Sequence, residues 1–585
     1  MKRLIILAAT LIAGLSACDS LLDKEPLDRV TQFDYFKTRS DLELFSNPFY
    51  DNLLDKTPYD EQNDLLVQMT LSDVLYGGDK RTVPNTGGGW SWGNLRRINT
   101  LLEYVDQCED KKAVTEYTAL AKFFRAAFYF DKVKRFGDVP WYEVQLGSAD
   151  EALYKPRDSR ELIMTNMIKD IDEAINSGGL TEDISTYRVN KWAALALKAR
   201  FCLFEGTYRK YHRVDPSTGK AWDPEYNKDN KWLREAADAC EELMEAGVYS
   251  LVNSPANVAT QYRSLFTSPS VLDQEVMWAR EYNDEKNVRH DVTWYFTSGS
   301  MGQGWSLDAD FVYTYLNRDG SRFTDRADYK STTYAEQFEN RDYRLQQTVI
   351  SPEYRKLVGG TSKLFAPDLS VSYTGYQVIK FNIDDKAYES ASVSYNSLPI
   401  MRYAEVLLNY AEAKAELGEF SDDIWNKTIK PLRERAGVDG KRPTSADPYL
   451  QQYYGLSDSD LLEIRRERAI ELLLEGFRYN DLMRWHAGEL LNKQWYGIYI
   501  PAMDTSYDLN GDGINDVCVI SGEAGNEPGV TYIVLDDSKY SLENGTTGRL
   551  LYTVGRNFEE KRYLRPIPKT ALNINPDLGQ NYYWR

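Results

Sequence analysis

The sequence predicts a mainly α-helical protein in which helix pairs of tetratricopeptide-like length stack into a superhelical body that carries a loop-rich part. Two stretches, about 116–247 and 401–487, place apolar residues at three- and four-residue steps, which is the period of an α-helix. Between about 250 and 400, Ser, Thr, Gly, Asn and aromatic residues replace these runs. The 585 residues, of which 42% are hydrophobic and 27% charged, are typical of a folded globular protein.

Apolar stripes and helix-ending residues predict the individual helices. Tyr117, Leu120 and Phe124 fall on one helix face, and Gly137 ends that helix before Pro140. Further helices are expected at Ser159–Ile175, Asn190–Glu205 and Trp232–Ala246 in the first stretch, and at Met401–Leu417, Asp422–Arg435 and Asp458–Trp485 in the second.

The segment 402–437 is the clearest helix pair. It is about one tetratricopeptide unit long, with small residues at Ala411 and Ala415 for close packing and Gly418 at the turn. Because one such pair cannot bury its apolar face alone, several must stack. The alternative is a generic helical bundle.

The N-terminus predicts export and lipidation. A positive start at Lys2 and Arg3 precedes the apolar stretch Leu4–Leu15, which is too short to span a membrane, and Leu15-Ser16-Ala17-Cys18 resembles a bacterial lipoprotein processing box. An ordinary secretory signal with an incidental cysteine is the alternative. We therefore expect a signal peptide at 1–17, lipidated Cys18, a tether at 18–30 and one domain at 31–585.

The charge and the scarcity of histidine exclude several classes of function. A net charge of −19 argues against a nucleic-acid partner, because phosphate binding needs a basic face. Three histidines give little material for a His-based metal site or triad. Besides Cys18 there are four cysteines, which permit three pairings; Cys202 and Cys240 lie in predicted amphipathic helices, which favours buried free thiols.

The stretch GGGWSWG places Trp90 and Trp92 in a glycine loop, where neither has an apolar run to pack in. Flat rings in an exposed loop suit the stacking of sugar rings, and in a strand-like loop both would share one side. Asn94 and Arg96 can donate hydrogen bonds to hydroxyl groups. The alternative is that one or both tryptophans cap the hydrophobic body.

A second aromatic group, Trp294, Tyr295 and Trp305, surrounds the glycine-rich run SGSMGQG in the loop-rich part. We predict that it also contacts a glycan. The alternative is packing between loops.

The segment DLNGDGINDV predicts a calcium loop. Asp508, Asn510, Asp512, the carbonyl of Ile514 and Asp516 match the first nine positions of such a loop. The twelfth position holds a valine instead of the bidentate glutamate, so the predicted Ca²⁺ would be structural and weakly held. The alternative is a solvated acidic turn.

The helical run RRERAIELLLEGFRYNDLMRW is rich in both charge signs. Pairs such as Glu475 and Arg478 lie three residues apart and support a helix modestly. We interpret these charges as architecture that fixes helix packing, and not as a catalytic site.

Five segments carry a family resemblance. In chain order they are KFFRAAFYFDKVKRFGDVPW (122–141), RVNKWAALALKARFCLFEGTY (188–208), LPIMRYAEVLLNYAEAKAELG (398–418), IRRERAIELLLEGFRYNDLMRW (464–485) and YLRPIPKTALNINPDLGQNYYW (563–584). Together they resemble the SusD/RagB family of outer-membrane lipoproteins from Bacteroidetes. The match covers nearly the whole chain, although Ala571 and the pair Tyr582-Tyr583 depart from the family's usual closing pattern.

The resemblance implies a SusD-like fold with four tetratricopeptide-like helix pairs and a ligand site in the loop-rich part. It implies a glycan ligand, a SusC-like TonB-dependent transporter as partner, and a lipid-anchored place at the cell surface. It also implies binding without catalysis, and the chain has no H-E-x-x-H or phosphate loop. The alternatives are a protein-binding helical-repeat scaffold and, less favoured, a glycoside hydrolase.

Overall fold

The protein is described from a computed structural model. The N-terminal predictions, including Cys18, lie outside the described residues. Within the described part, no helix is long and apolar enough to cross a membrane. The described residues are 35–52, 63–69, 71, 82–299, 302, 304–536 and 539–585.

Helices dominate the structure, as the sequence predicts. Asp110 starts α3 by accepting hydrogen bonds from the backbone N–H groups of Lys112 and Ala113, and Gly137 ends it with φ 71°. The helices are α1 Arg39–Asn52, α2 Gly93–Tyr104, α3 Lys111–Phe136, α4 Arg160–Asn176, α5 Lys191–Tyr211, α6 Lys231–Ala246, α7 Gln261–Thr267, α8 Val292–Thr297, α9 Ala309–Val312, α10 Tyr343–Thr348, α11 Tyr403–Glu416, α12 Asp422–Lys427, α13 Ile429–Arg435, α14 Pro448–Tyr454, α15 Ser459–Glu471, α16 Arg478–Arg484 and α17 Lys569–Ile574.

The long helices pack in chain order. Helix α3 packs on α4, α5 on α6, α6 on α11, and α11 on α15, while α1 and α2 cover the outer side of α3. The apolar stripes of α1 to α6 and part of α11 form one core that includes Phe124 of α3 and Trp278 of the strand Val276–Arg280. Ile464 of α15 packs with α11 in a separate cluster. This stacking is the predicted body of helix pairs.

The strands are short and lie mostly in the second half of the chain. Strands β2 and β6 form an antiparallel pair beside the helical body, β11, β12 and β7 form an antiparallel sheet, and β10 lies parallel to β9. They surround a second core under the loop-rich part. The strands are β1 Leu66–Val67, β2 Val276–Arg280, β3 Ser306–Leu307, β4 Arg355–Val358, β5 Thr361–Leu364, β6 Leu398–Arg402, β7 Trp495–Ile500, β8 Ser506–Tyr507, β9 Val517–Ile520, β10 Thr531–Val534, β11 Tyr540–Leu542 and β12 Gly548–Tyr552.

The predicted helix Asp458–Trp485 is two helices. Between α15 and α16 the chain turns, with Leu474 at φ 63° and Gly476 at φ 80°. Both residues occupy the left-handed region, which an α-helix cannot pass through. The predicted helix Asp422–Arg435 likewise divides, at Thr428.

The charges of this segment are buried, which confirms that they are architectural. Glu471 is fully buried and faces the guanidinium groups of Arg344, Arg402 and Arg435. Each of these arginines comes from a different part of the chain, and all are 1% exposed. A buried charge is tolerated only when it is paired, so the pairs fix which elements meet.

The cysteine prediction is also confirmed. Cys202 and Cys240 are free and buried, as are Cys108 and Cys518. Burial raises the pKa of the Cys202 and Cys240 thiols well above their ordinary value, which makes them unreactive.

Candidate functional site

The glycine loop is a turn that leads into α2, and it is not strand-like. Gly87, Gly88 and Gly89 all have positive φ, between 65° and 92°. The carbonyl of Gly89 accepts a hydrogen bond from Lys132 Nζ at 2.5 Å. A Cβ atom at Gly89 would lie 3.0 Å from the guanidinium of Arg135. The glycines are therefore explained by the backbone conformation and by two cations of α3 that lie against the loop.

The two tryptophans of this loop pack on α3. Trp90 meets Phe136 edge-on with ring centroids 4.9 Å apart, and Trp92 lies 5.8 Å from Phe128. Both are half-buried, and their planes cross at 83° with centroids 5.4 Å apart. The expectation that both rings share one side depended on a strand-like loop, which the structure does not have, and the rings lie edge to face. Glycan contact by either ring stays a prediction.

A groove of about 690 Å³ begins beside this loop. Gly89, Ser91 and Asn94 line its near end, whereas Trp90 and Trp92 are not part of the lining. The groove continues along α3 and α5 to β6 and to the turn between α15 and α16. Its volume falls within the range of about 300–1,000 Å³ that is typical of small-molecule sites.

Aromatic side chains line the groove at its far end. Phe477 and Tyr479 are half-buried there, and the guanidinium of Arg200 lies 4.9 Å from the ring centroid of Phe477. Of the predicted polar contacts, Asn94 lines the groove, while Arg96 is exposed on α2 and is not part of the lining. Phe477, Tyr479 and the cations of α3 were not predicted as site residues, although the basic run KVKR at 132–135 was a usable signal.

The second aromatic group is only partly accessible. Trp294 and Tyr295 are half-buried on α8. Trp305 is 1% exposed and packs 5.9 Å from the ring of Phe296 in the second core. This is a correction to the predicted site, because a sugar ring cannot reach a side chain enclosed by core residues. The two aromatic groups pack on different cores.

The predicted calcium loop is a series of tight turns. Asp508 accepts hydrogen bonds from the N–H groups of Gly511 at 2.7 Å and Gly513 at 2.8 Å, and Asp512 accepts one from Ile514 at 2.9 Å. Burial, with the charges of Asp508 and Asp512 adding to it, raises the pKa of Asp516 to about 6.

The carboxylates of this loop are occupied by backbone donors. Among the described residues, no group of three or more His, Cys, Asp or Glu side chains is placed to share a metal ion. Asn510 Oδ1 likewise accepts the N–H of Asp512 at 3.1 Å, and Val519, at the twelfth position, is buried in β9. The calcium site stays a prediction.

Comparison with known proteins identifies the family. A model described as the SusD family matches residues 274–584, which is just over half of the chain. A second model, described as "Starch-binding associating with outer membrane", matches residues 35–196. The chain belongs to the SusD family. The resemblance drawn from the five segments is confirmed.

Individual SusD-family relatives are distant but nearly full-length. "SusD-like protein P38" of Formosa agariphila is 24% identical over 513 residues, covering 80% of this chain and 88% of the relative. A "SusD-like protein" of Bacteroides ovatus is 22% identical over an alignment that covers 99% of this chain and 97% of the relative. The crystal structure of a SusD-like carbohydrate-binding protein from Bacteroides fragilis matches with a TM-score of 0.64 at 22% identity. The match covers 93% of this chain and 99% of the other. At this identity the structural match is evidence for the fold.

The groove lies where the SusD-family segments meet. Each of the five segments quoted above contributes to its lining, and helix α3 supplies a large share. The groove is therefore built largely from the segments that carry the resemblance, and the glycine loop and Trp278 and Arg280 of β2 complete its lining.

Proposed function

We propose that this protein is a cell-surface lipoprotein, anchored through Cys18, that binds an oligo- or polysaccharide and delivers it to a SusC-like TonB-dependent transporter without cleaving it. Membership of the SusD family supports this role. The model matching residues 35–196 is described as starch-binding and outer-membrane-associated, and the structural neighbour from Bacteroides fragilis is described as carbohydrate-binding.

The groove is the observation that carries the proposal. It combines half-buried aromatic rings, Phe477 and Tyr479, with polar groups such as Asn94. Binding sites for small molecules typically pair such apolar surfaces with a few placed polar groups. Trp90 and Trp92, which are half-buried, are candidates for a second contact, as are Trp294 and Tyr295.

A binding screen of the full chain in detergent against soluble polysaccharides tests this function. For a glycan that binds, Tyr479→Ala should lower the affinity about tenfold, since the loss of one contact of about 1.4 kcal/mol has that effect. The matched control is Tyr226→Ala, which removes a tyrosine that is 41% exposed and lies outside the groove. The double variant Trp90→Ala, Trp92→Ala decides whether those rings contact the glycan or only pack.

Other outcomes would favour the alternatives. Release of shortened oligosaccharides during incubation would indicate a glycoside hydrolase. Failure to bind any glycan, together with capture of a protein partner by the same groove, would indicate a scaffold.

A further inference from the structure

The groove is cationic although the protein is acidic. Among the described residues, nine Lys and Arg side chains line it against three Asp and Glu side chains. The whole chain has the opposite balance, with 70 basic and 89 acidic residues. A cleft lined mainly by one sign of charge concentrates ligands of the other sign.

The cations at the two ends of the groove differ in their surroundings. Arg200, towards the far end, is held by two hydrogen bonds of 2.7 Å to Glu405 behind the wall, so its charge is compensated. At the glycine loop, Lys132 and Arg135 both lie near the carboxylate of Asp131, which also lines the groove. Arg135 Nε lies 2.7 Å from it and Lys132 Nζ 3.9 Å.

Lys132 is the key residue of this end. It is only 4% exposed, yet it lines the groove, and of its three ammonium N–H groups one donates to the Gly89 carbonyl. Burial lowers the pKa of Lys132 to about 8; Asp131 opposes this shift, and the charges of Arg135 and Arg565 add to it. An anion placed here would compensate a desolvated charge and take up remaining N–H donors.

We propose that the glycine-loop end of the groove binds the anionic group of an acidic glycan, a carboxylate or a sulfate ester, through Lys132 and Arg135. This inference rests on the proposed function and narrows its ligand from glycans in general to anionic ones. The ammonium of Lys132 lies 4.7 Å from the ring centroid of Phe128, which also lines the groove, so charge and an apolar face adjoin. The rest of the groove accepts the neighbouring sugar units.

Two matched probe pairs test the charge preference of the full chain in detergent. Polygalacturonate is compared with its methyl-esterified form, and dextran sulfate with dextran, so that each pair differs in charge and the two pairs separate carboxylate from sulfate. At least one anionic member should bind at least tenfold more tightly than its neutral partner. Its binding should weaken as NaCl rises from about 50 to about 500 mM, because exposed charges are screened.

Three variants test whether Lys132 and Arg135 bind the anionic group. Lys132→Gln retains a donor for the Gly89 carbonyl but removes the charge, and Arg135→Gln removes the second cation. Each should lower the affinity for the anionic probe about tenfold or more, since a hydrogen bond to a charged group contributes at that level. Lys155→Gln is the matched control. Lys155 Nζ donates to the Trp141 carbonyl at 2.7 Å but lies outside the groove, so affinity should be unchanged.

The failures of the two proposals are distinguishable. If neutral and anionic members bind equally and Lys132→Gln matches the wild type, the anionic preference is overturned and glycan binding stands. If no probe of either kind binds, both the inference and the proposed function are overturned. If polyglutamate binds as tightly as the best anionic glycan and depends on Lys132, the groove accepts acidic polypeptides and the glycan assignment is wrong.

Discussion

Substituting Glu471 with glutamine should destabilise the protein severely although it preserves shape. Glu471 is 0% exposed, and its two oxygens face Arg344 at 2.9 Å, Arg402 at 2.5 Å and Arg435 at a still shorter distance. Burial alone would raise the pKa of Glu471, but these three guanidiniums hold it well below its ordinary value, so the group is ionised. Glutamine removes that charge and turns an amide N–H₂ towards cations.

The expected loss of unfolding free energy depends on the ion pairs that the three arginines retain in the variant. Removing one partner of a buried pair costs about 3–5 kcal/mol, and the lower value applies because each arginine retains another carboxylate, for instance Glu275 for Arg402 and Arg435. Unfolding entropy of about 2.1 cal/mol/K per residue over the 585 residues gives about 1.2 kcal/mol/K, so the melting temperature should fall by about 3 °C.

The assay is thermal unfolding of Glu471→Gln beside Glu419→Gln. Glu419 also faces two cations, Lys414 and Arg234, each at 3.1 Å, but its side chain is 37% exposed. An exposed pair contributes less than about 1 kcal/mol, so this control should melt within about 1 °C of the wild type. Equal shifts for the two variants would refute the reasoning that burial makes the network strong.

Three further predictions concern the protonation of His212, calcium binding by the acidic loop and the accessibility of two buried thiols. Burial lowers the pKa of His212 to about 3, so below pH 6.5 the unfolded chain takes up a proton on this histidine that the folded chain does not. The free energy of unfolding should therefore fall by up to about 1.4 kcal/mol per pH unit as the pH drops below about 6.5. Urea unfolding of His212→Gln should lack this part of the pH dependence. If the acidic loop holds calcium, millimolar Ca²⁺ should raise the melting temperature above pH 6, where the Asp516 carboxyl is ionised. The variant Asp512→Asn should show no such rise. An unchanged melting temperature of the wild type would refute the calcium site. A thiol reagent should leave Cys202 and Cys240 unmodified in the native protein and label them in denaturant, and labelling of native protein would contradict their burial.

Most long helices were predictable because their apolar periodicity agrees with their packing, as in α3 and α6. Helices α1 and α2 were not predicted. Helix α1 contains Pro48, which local rules disfavour, and it is held by Phe49, whose ring lies 5.6 Å from Phe124 of α3. Helix α2 starts in the glycine loop, so the turn signal obscured the apolar spacing of Leu95, Ile98 and Leu101 that follows.

The site was less predictable than the fold. Spacing left two roles open for the tryptophans of the glycine loop, ligand contact and packing on the body, and the structure shows that both rings pack on α3. The groove joins residues more than 400 positions apart, such as Asn94 and Arg565, so no local pattern contains it. Charged residues are also expected at the surface, and only the pairing of Glu471 with its arginines explains their burial.

The buried ionic network and the groove are parts of one arrangement. The turn after α15 supplies Phe477 to the groove, and the first turn of α16 supplies Tyr479. Three ion pairs hold this region in place: Glu475 with Arg402 of β6, Arg478 with Asp64, and Arg484 with Glu412 of α11. A turn containing Leu474 at φ 63° persists only where its surroundings determine it. Because these pairs fix the segment before any ligand arrives, the aromatic wall loses little conformational entropy on binding, which favours affinity. An ion pair outside the lining, such as Arg478 with Asp64, therefore favours binding by keeping the groove formed.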